Sequence, residues 1–133
     1  MPTMPRKSRR DWMLESPVDM RPEYELVRQL VKWLSAAGWP ELPDTSLEQE
    51  MGANTDAVID TNHDQRIIIR AKPRASGALG RVDIKTYPDS NRIYLLEQPD
   101  GRWRMRTASN TYDPRPVDET GVREVITEML GST

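Results

Sequence analysis

A chain of 133 residues, of which 36% are hydrophobic and 30% charged, suits one domain with a single core and is too short for two ordinary domains. Cysteine is absent, which excludes disulfides, thiolate nucleophiles and zinc sites with sulfur ligands. The sequence shows neither a signal peptide nor an apolar run of about 20 residues, so we expect a cytoplasmic protein with no membrane contact.

Charge is unevenly distributed along the chain, although the net charge is only -2. Residues 1–10 hold four bases and no acid, and residues 11–65 hold twelve acids and three bases. Residues 66–106 hold ten bases and four acids. The folded protein is therefore expected to present surfaces of opposite sign.

The N-terminal third combines a charged arm with an amphipathic helix. Residues 1–21 are rich in proline and basic side chains without a regular period, which predicts a flexible basic arm ahead of a single domain over residues 22–133. A helix is predicted from about Pro22 to Ala37, and Gly38 is expected to end it. Its apolar side chains recur at the spacing of one helix face, at Val27, Leu30, Val31 and Leu34.

Residues 41–56 are polar and long for a connection, and a short strand or helical turn is expected near Leu47 to Met51. The period then becomes that of β-structure. The predicted strands are Ala57 to Thr61, Arg66 to Lys72, Arg81 to Tyr87, Ile93 to Glu97 and Arg102 to Thr107. The turns between them are predicted at Asn62-His63-Asp64, at a loop from Pro73 to Gly80, at Pro88-Asp89-Ser90-Asn91 and at Pro99-Asp100-Gly101.

A second amphipathic helix is predicted from about Thr120 to Leu130, with Asp118 or Thr120 as its N-cap and Gly131 at its end. The order of elements indicates an α+β fold. An antiparallel β-meander of about five strands would carry the N-terminal and C-terminal helices on one face, as a two-layer sandwich.

Alternation along the predicted strands places basic side chains opposite apolar ones. Three strands each present a basic row on the side that faces away from the helices, and Asp83 is the one acid in those rows. The candidate binding residues are Arg66, Arg70, Lys72, Arg81, Lys85, Arg92, Tyr94, Arg102, Arg104 and Arg106.

This basic face has two interpretations. It is the ordinary solvated face of an antiparallel sheet, or it binds an anionic partner, which is nucleic acid or an acidic protein surface. The second interpretation is favoured by the single sign of the charge, because like charges on neighbouring strands repel. Tyr94 would add a stacking platform for an unpaired base.

An alternative is an assembly subunit of a phage particle or of another multi-protein complex. The acidic half and the basic sheet would then pair between copies and give a salt-sensitive homo-oligomer. Trp12 and Trp39 are candidate anchors for such contacts, although Trp39 also suits a role in covering the end of the first helix.

A second alternative is enzymatic. Asp83-Ile84-Lys85 resembles the D-x-K half of the PD-(D/E)xK nuclease motif, a resemblance that spans about residues 23–85. It implies magnesium-dependent cleavage, with Asp60 or Asp64 and Glu23 or Glu25 as further carboxylates. Unlike that family, this chain is predicted to follow the D-x-K strand with a turn and another strand. The simpler interpretation is that Asp83 balances the charges of Arg81 and Lys85.

Nothing else in the sequence indicates catalysis. His63 is the single histidine, lies in a predicted turn and cannot form a metal site alone, and no phosphate-binding glycine loop is present. We therefore expect a small non-catalytic binding protein with no metal and no cofactor.

Overall fold

The computed structural model describes residues 21–42, 56–61, 64–72 and 78–131. The described chain contains two helices, α1 (Arg21–Ala36) and α2 (Glu119–Gly131). Between them lie five strands, which are β1 (Ala57–Asp60), β2 (Arg66–Ala71), β3 (Arg81–Tyr87), β4 (Arg92–Glu97) and β5 (Trp103–Thr107). The predicted arm is outside the described residues, except that α1 begins at Arg21. The expected element near Leu47 to Met51 and the side chain of His63 also lie outside them.

The five strands form one sheet in the order β1-β2-β3-β4-β5, and each neighbouring pair is antiparallel. This confirms the α+β fold with a meander and a helix from each end of the chain. Turn chemistry accounts for two of the reversals. Ser90 and Gly101 adopt positive φ angles of 56° and 84°, and Asp100 Oδ1 accepts a hydrogen bond from the Arg102 amide at 2.9 Å.

The apolar core lies between the helices and one face of the sheet, which we call the inner face. Alternate residues of each strand point into it, and both helices contribute to the same cluster. The fully or almost fully buried members include Leu30, Leu34, Ile59, Ile67, Ile69, Ile84, Leu95, Met105, Val122 and Ile126. The other side of the sheet, the outer face, therefore carries the alternate residues, including the basic rows.

The C-terminal end of α1 and the N-terminal end of α2 form as their local sequences predict. Gly38 has a φ of 92°, and the Trp39 amide donates to the Leu34 carbonyl at 3.0 Å, which satisfies a terminal carbonyl of α1. Asp118 caps α2, because its Oδ1 accepts the Gly121 amide at 2.7 Å.

The C-terminal end of α2 is held by turns of the sheet. Gln65 Nε2 donates to the Leu130 carbonyl at 3.2 Å, and Asn91 Nδ2 donates to the Met129 carbonyl at 2.8 Å. These carbonyls have no partner within the helix, so the two amide side chains fix the position of α2 over the sheet.

Both edges of the sheet are partly covered by the chain itself. Beside β1, the Leu42 amide donates to the Val58 carbonyl at 2.8 Å, and the Asp60 amide donates to the Pro40 carbonyl at 2.9 Å. Beside β5, the Asp113 amide donates to the Met105 carbonyl at 2.9 Å. Occupied edge groups disfavour association by strand addition.

Neither helix in the described part of the chain has an apolar stretch long enough to cross a lipid bilayer.

Candidate functional site

The ten predicted site residues occupy the outer face, as the strand register and the alternation of side chains require. One row runs straight across four strands, because Arg70 faces Asp83, Asp83 faces Tyr94, and Tyr94 faces Arg106. A second row pairs Lys85 with Arg92. Lys72 extends the ladder beyond β2, since its amide donates to the Arg81 carbonyl at 2.9 Å.

Asp83 lies near the middle of the basic rows, and its carboxylate is paired with two bases. Arg81 Nε and Nη2 donate to its two oxygens at 2.7 and 3.2 Å, and Lys72 Nζ lies 3.7 Å from Oδ2. The hydrogen bonds to Asp83 raise the pKa of the Arg81 guanidinium. Asp83 is the single acid among the outward-facing residues of β2 to β5, so two of the bases share one neutralising charge.

At the β1 side of the face, Arg66 is also paired, with its Nη1 atom 3.1 Å from Asp60 Oδ1. The remaining bases have no carboxylate of the described residues within salt-bridge distance. These six, which we call the unpaired bases, are Arg70, Lys85, Arg92, Arg102, Arg104 and Arg106. The described carboxylates of the acidic half therefore do not lie within salt-bridge distance of these six bases.

The outer face is not evenly open to solvent. Val58 is fully buried and Ile68 is only 7% exposed, although both point away from the helices. The Nε atom of Arg70 is buried as well. By contrast, Arg92, Arg102 and Arg104 are exposed. The accessible part of the basic face therefore lies over β3, β4 and β5, and the predicted residues on β2 form its less accessible border.

Three tyrosines are interleaved with these bases. Arg81 and Arg106 place their guanidinium carbons 4.5 and 5.5 Å from the ring centre of Tyr94. Arg104 lies 4.0 Å from the ring centre of Tyr112. Such contacts orient guanidinium groups over aromatic rings, so the exposed rows of β4 and β5 are held partly by cation–π packing.

Two of the three tyrosines were missed by the sequence reasoning. Tyr87 ends β3 on the same side as Arg81 and Lys85, and the residue is 48% exposed. Its parity in the strand was a signal that could have found it. Tyr112 is brought to the face by an isolated bridge with Arg106. This bridge depends on the path of the chain after β5, and no periodic pattern in the sequence predicts it.

Of the carboxylates proposed for nuclease activity, Glu23 and Asp83 lie on opposite sides of the sheet, whereas Asp60 lies with Asp83 on the outer face. Glu23 is completely buried on the helix side, where its carboxylate lies beside Gly80, whereas Asp83 points to the outer face. Glu25 is exposed on α1. Among the described residues, no group of three or more histidines and carboxylates is placed to hold a metal ion.

Trp39, the described candidate for an assembly anchor, is partly buried and packs against the core. It also lines an open groove of about 420 Å³ between the end of α1 and α2. Trp12 lies outside the described residues. Trp39 thus packs beside the end of α1, and its role as an assembly anchor stays a prediction.

Comparisons with protein-family models, with curated proteins and with solved structures find no match to this chain.

Proposed function

We propose that this protein binds nucleic acid through the outer face of its sheet. The observation that carries the proposal is the set of six unpaired bases on the part of the outer face formed by β2 to β5, where the single acid, Asp83, is already paired with Arg81 and Lys72. Phosphates would supply the counter-charge that the described carboxylates do not supply to these bases. Each contact would release a condensed counterion from the nucleic acid, which favours association at low salt.

The kinds of base and their arrangement support phosphate as the partner. Five of the six unpaired bases are arginines, whose planar guanidinium groups bind phosphate oxygens in pairs. They come from neighbouring strands about 4.8 Å apart, so a backbone that crosses the sheet meets several of them in succession. A solvated face would gain nothing from one sign of charge, because like charges on adjacent strands are destabilising.

The proposal is tested by replacing Arg102, Arg104 and Arg106 with glutamine. Affinity for labelled DNA or RNA is measured by fluorescence anisotropy at several salt concentrations. Loss of three phosphate contacts is expected to reduce the slope of log K against log salt by about 2 to 3. Circular dichroism should show an intact fold, because the three side chains lie at the surface.

A matched control removes the same three charges from the helix layer. Arg28, Lys32 and Arg123 are exposed there, and their replacement by glutamine should leave the salt slope unchanged. If both triple variants bind equally weakly, net charge rather than the sheet face controls binding. Failure of the native protein to bind any single- or double-stranded DNA or RNA at low salt would overturn the proposal. Binding of polyglutamate alone would assign the face to an acidic protein.

A further inference from the structure

We infer that the exposed ring of Tyr87 is a stacking site for an unpaired base, so that the preferred ligand is single-stranded nucleic acid. This inference rests on the proposed function and makes it more specific. An exposed aromatic ring beside a basic field is the arrangement that binds single strands, because every base has a face that stacks on an aromatic side chain.

Of the three outer-face tyrosines, Tyr87 has the ring that is open to a base. Guanidinium groups lie over Tyr94 and Tyr112. Tyr87 makes no cation–π contact in the described part of the chain and is 48% exposed. Base stacking at Tyr94 would have to displace Arg81 or Arg106, whereas stacking at Tyr87 would not have to displace a guanidinium group.

The neighbours of Tyr87 are placed to bind the phosphates that flank a stacked base. Lys85 lies two residues back on the same side of β3, about 7 Å away along the strand, and Arg92 faces Lys85 across the sheet. From this pair, the basic face continues towards Arg106 and Arg104 on β5. A single-stranded nucleic acid with one base stacked on Tyr87 could therefore place its neighbouring phosphates on these basic side chains.

A double helix cannot use this site in the same way. Its bases are already stacked and paired, so a ring at the surface of a sheet would reach only the backbone, and a duplex would bind through charge alone. Tyr87 is thus expected to discriminate between single strands and duplexes, while the six unpaired bases contribute to binding of both.

The test compares three probes of matched charge. These are an oligothymidine of about 12 nucleotides, an abasic strand of the same length, and a duplex. Tyr87→Ala is expected to weaken binding of oligothymidine by roughly 5- to 100-fold. Binding of the abasic strand and the duplex should change less than twofold. Tyr87→Phe keeps the ring and should restore the native affinity for oligothymidine.

Leu79→Ala is the matched control, because Leu79 is 50% exposed and apolar but not aromatic. It should leave all three affinities unchanged. If Tyr87→Ala weakens all probes equally or none of them, the stacking site is wrong, while the basic face is retained as the binding surface. If the native protein binds none of the probes at low salt, the basic face itself is wrong. The two failures are therefore distinguishable.

Discussion

Replacement of Asp83 by asparagine should make the protein less stable and its binding of nucleic acid tighter. In the free protein, Asp83 binds Arg81 through two hydrogen bonds and lies 3.7 Å from Lys72 Nζ. The substitution preserves the shape of the side chain and removes its charge. Arg81 and Lys72 would then lose their counter-charge and join the six unpaired bases.

The expected changes follow from the geometry. The Asp83 side chain is 17% exposed and that of Arg81 is 40% exposed, so the pair is partly screened and contributes about 1 kcal/mol. Repulsion between the released bases on adjacent strands adds about 0.2 to 1 kcal/mol, which gives a total loss of about 1 to 2 kcal/mol. Two additional phosphate contacts would steepen the salt slope by about 1.5. Removal of one negative charge near a phosphate should make the free energy of binding more favourable by about 1 kcal/mol, which raises the affinity about fivefold.

Urea unfolding at low and high salt measures the loss of stability, and anisotropy with a labelled oligonucleotide measures the gain in affinity. The stability loss should be smaller at about 1 M salt, where the screening length is about 3 Å and repulsion across the strands is reduced. Glu25→Gln is the control, since it changes net charge equally at an exposed position of α1. If Asp83→Asn weakens binding while the fold remains intact, Asp83 does not compete with phosphate and the reasoning is refuted.

Two further predictions concern the region around α2. Gly121→Ala should destabilise the fold by about 1 to 3 kcal/mol in urea unfolding, because an added Cβ would collide with the Pro116 carbonyl oxygen; Gly131→Ala, with open space around it, should cost nothing. Hydrogen bonds from Arg115 lower the pKa values of Asp113 and Glu128. The stabilisation of the fold by these hydrogen bonds is therefore complete above about pH 5 and is lost as pH falls through about 4 and below. Thermal melts of Asp113→Asn should show a weaker acid dependence, and a dependence equal to that of the native protein would contradict this assignment.

The fold was predictable because its elements are encoded locally. Helix α1 has an apolar stripe at helical spacing and ends at Ala36, just before Gly38, which adopts a positive φ. The Pro99-Asp100-Gly101 sequence strongly favours a turn, and Gly101 adopts the positive φ that this turn requires. Strand alternation separated the inner and outer faces correctly. What the sequence did not predict is which chain segments cover the sheet edges, because Glu41 with Ile59 and Arg106 with Tyr112 are isolated bridges without a period.

The candidate site was predicted in part for the same physical reason. Alternation determines which side of a strand a residue points to, so the basic rows could be placed on one face before their neighbours were known. It does not determine burial, and the sequence gives no sign that Val58 and Ile68 are buried on that face. Nor does it give the orientation of side chains, so the guanidinium groups over Tyr94 could not be foreseen.

The basic face is separable from the features that stabilise the fold. The core lies on the inner face, the helix ends are capped by Asp118, Gln65 and Asn91, and the edges of the sheet are partly occupied by the chain. None of these interactions requires the six unpaired bases, whose mutual repulsion opposes folding. A substitution on a surface that serves only solubility normally leaves the free energy of unfolding almost unchanged. Here, by contrast, removal of a mutually repelling charge should raise the stability of the fold. Arg92 and Arg102 make no cation–π contact in the described part of the chain. Glutamine variants of these two residues that are more stable and bind nucleic acid less tightly would therefore indicate that these charges serve binding and not folding.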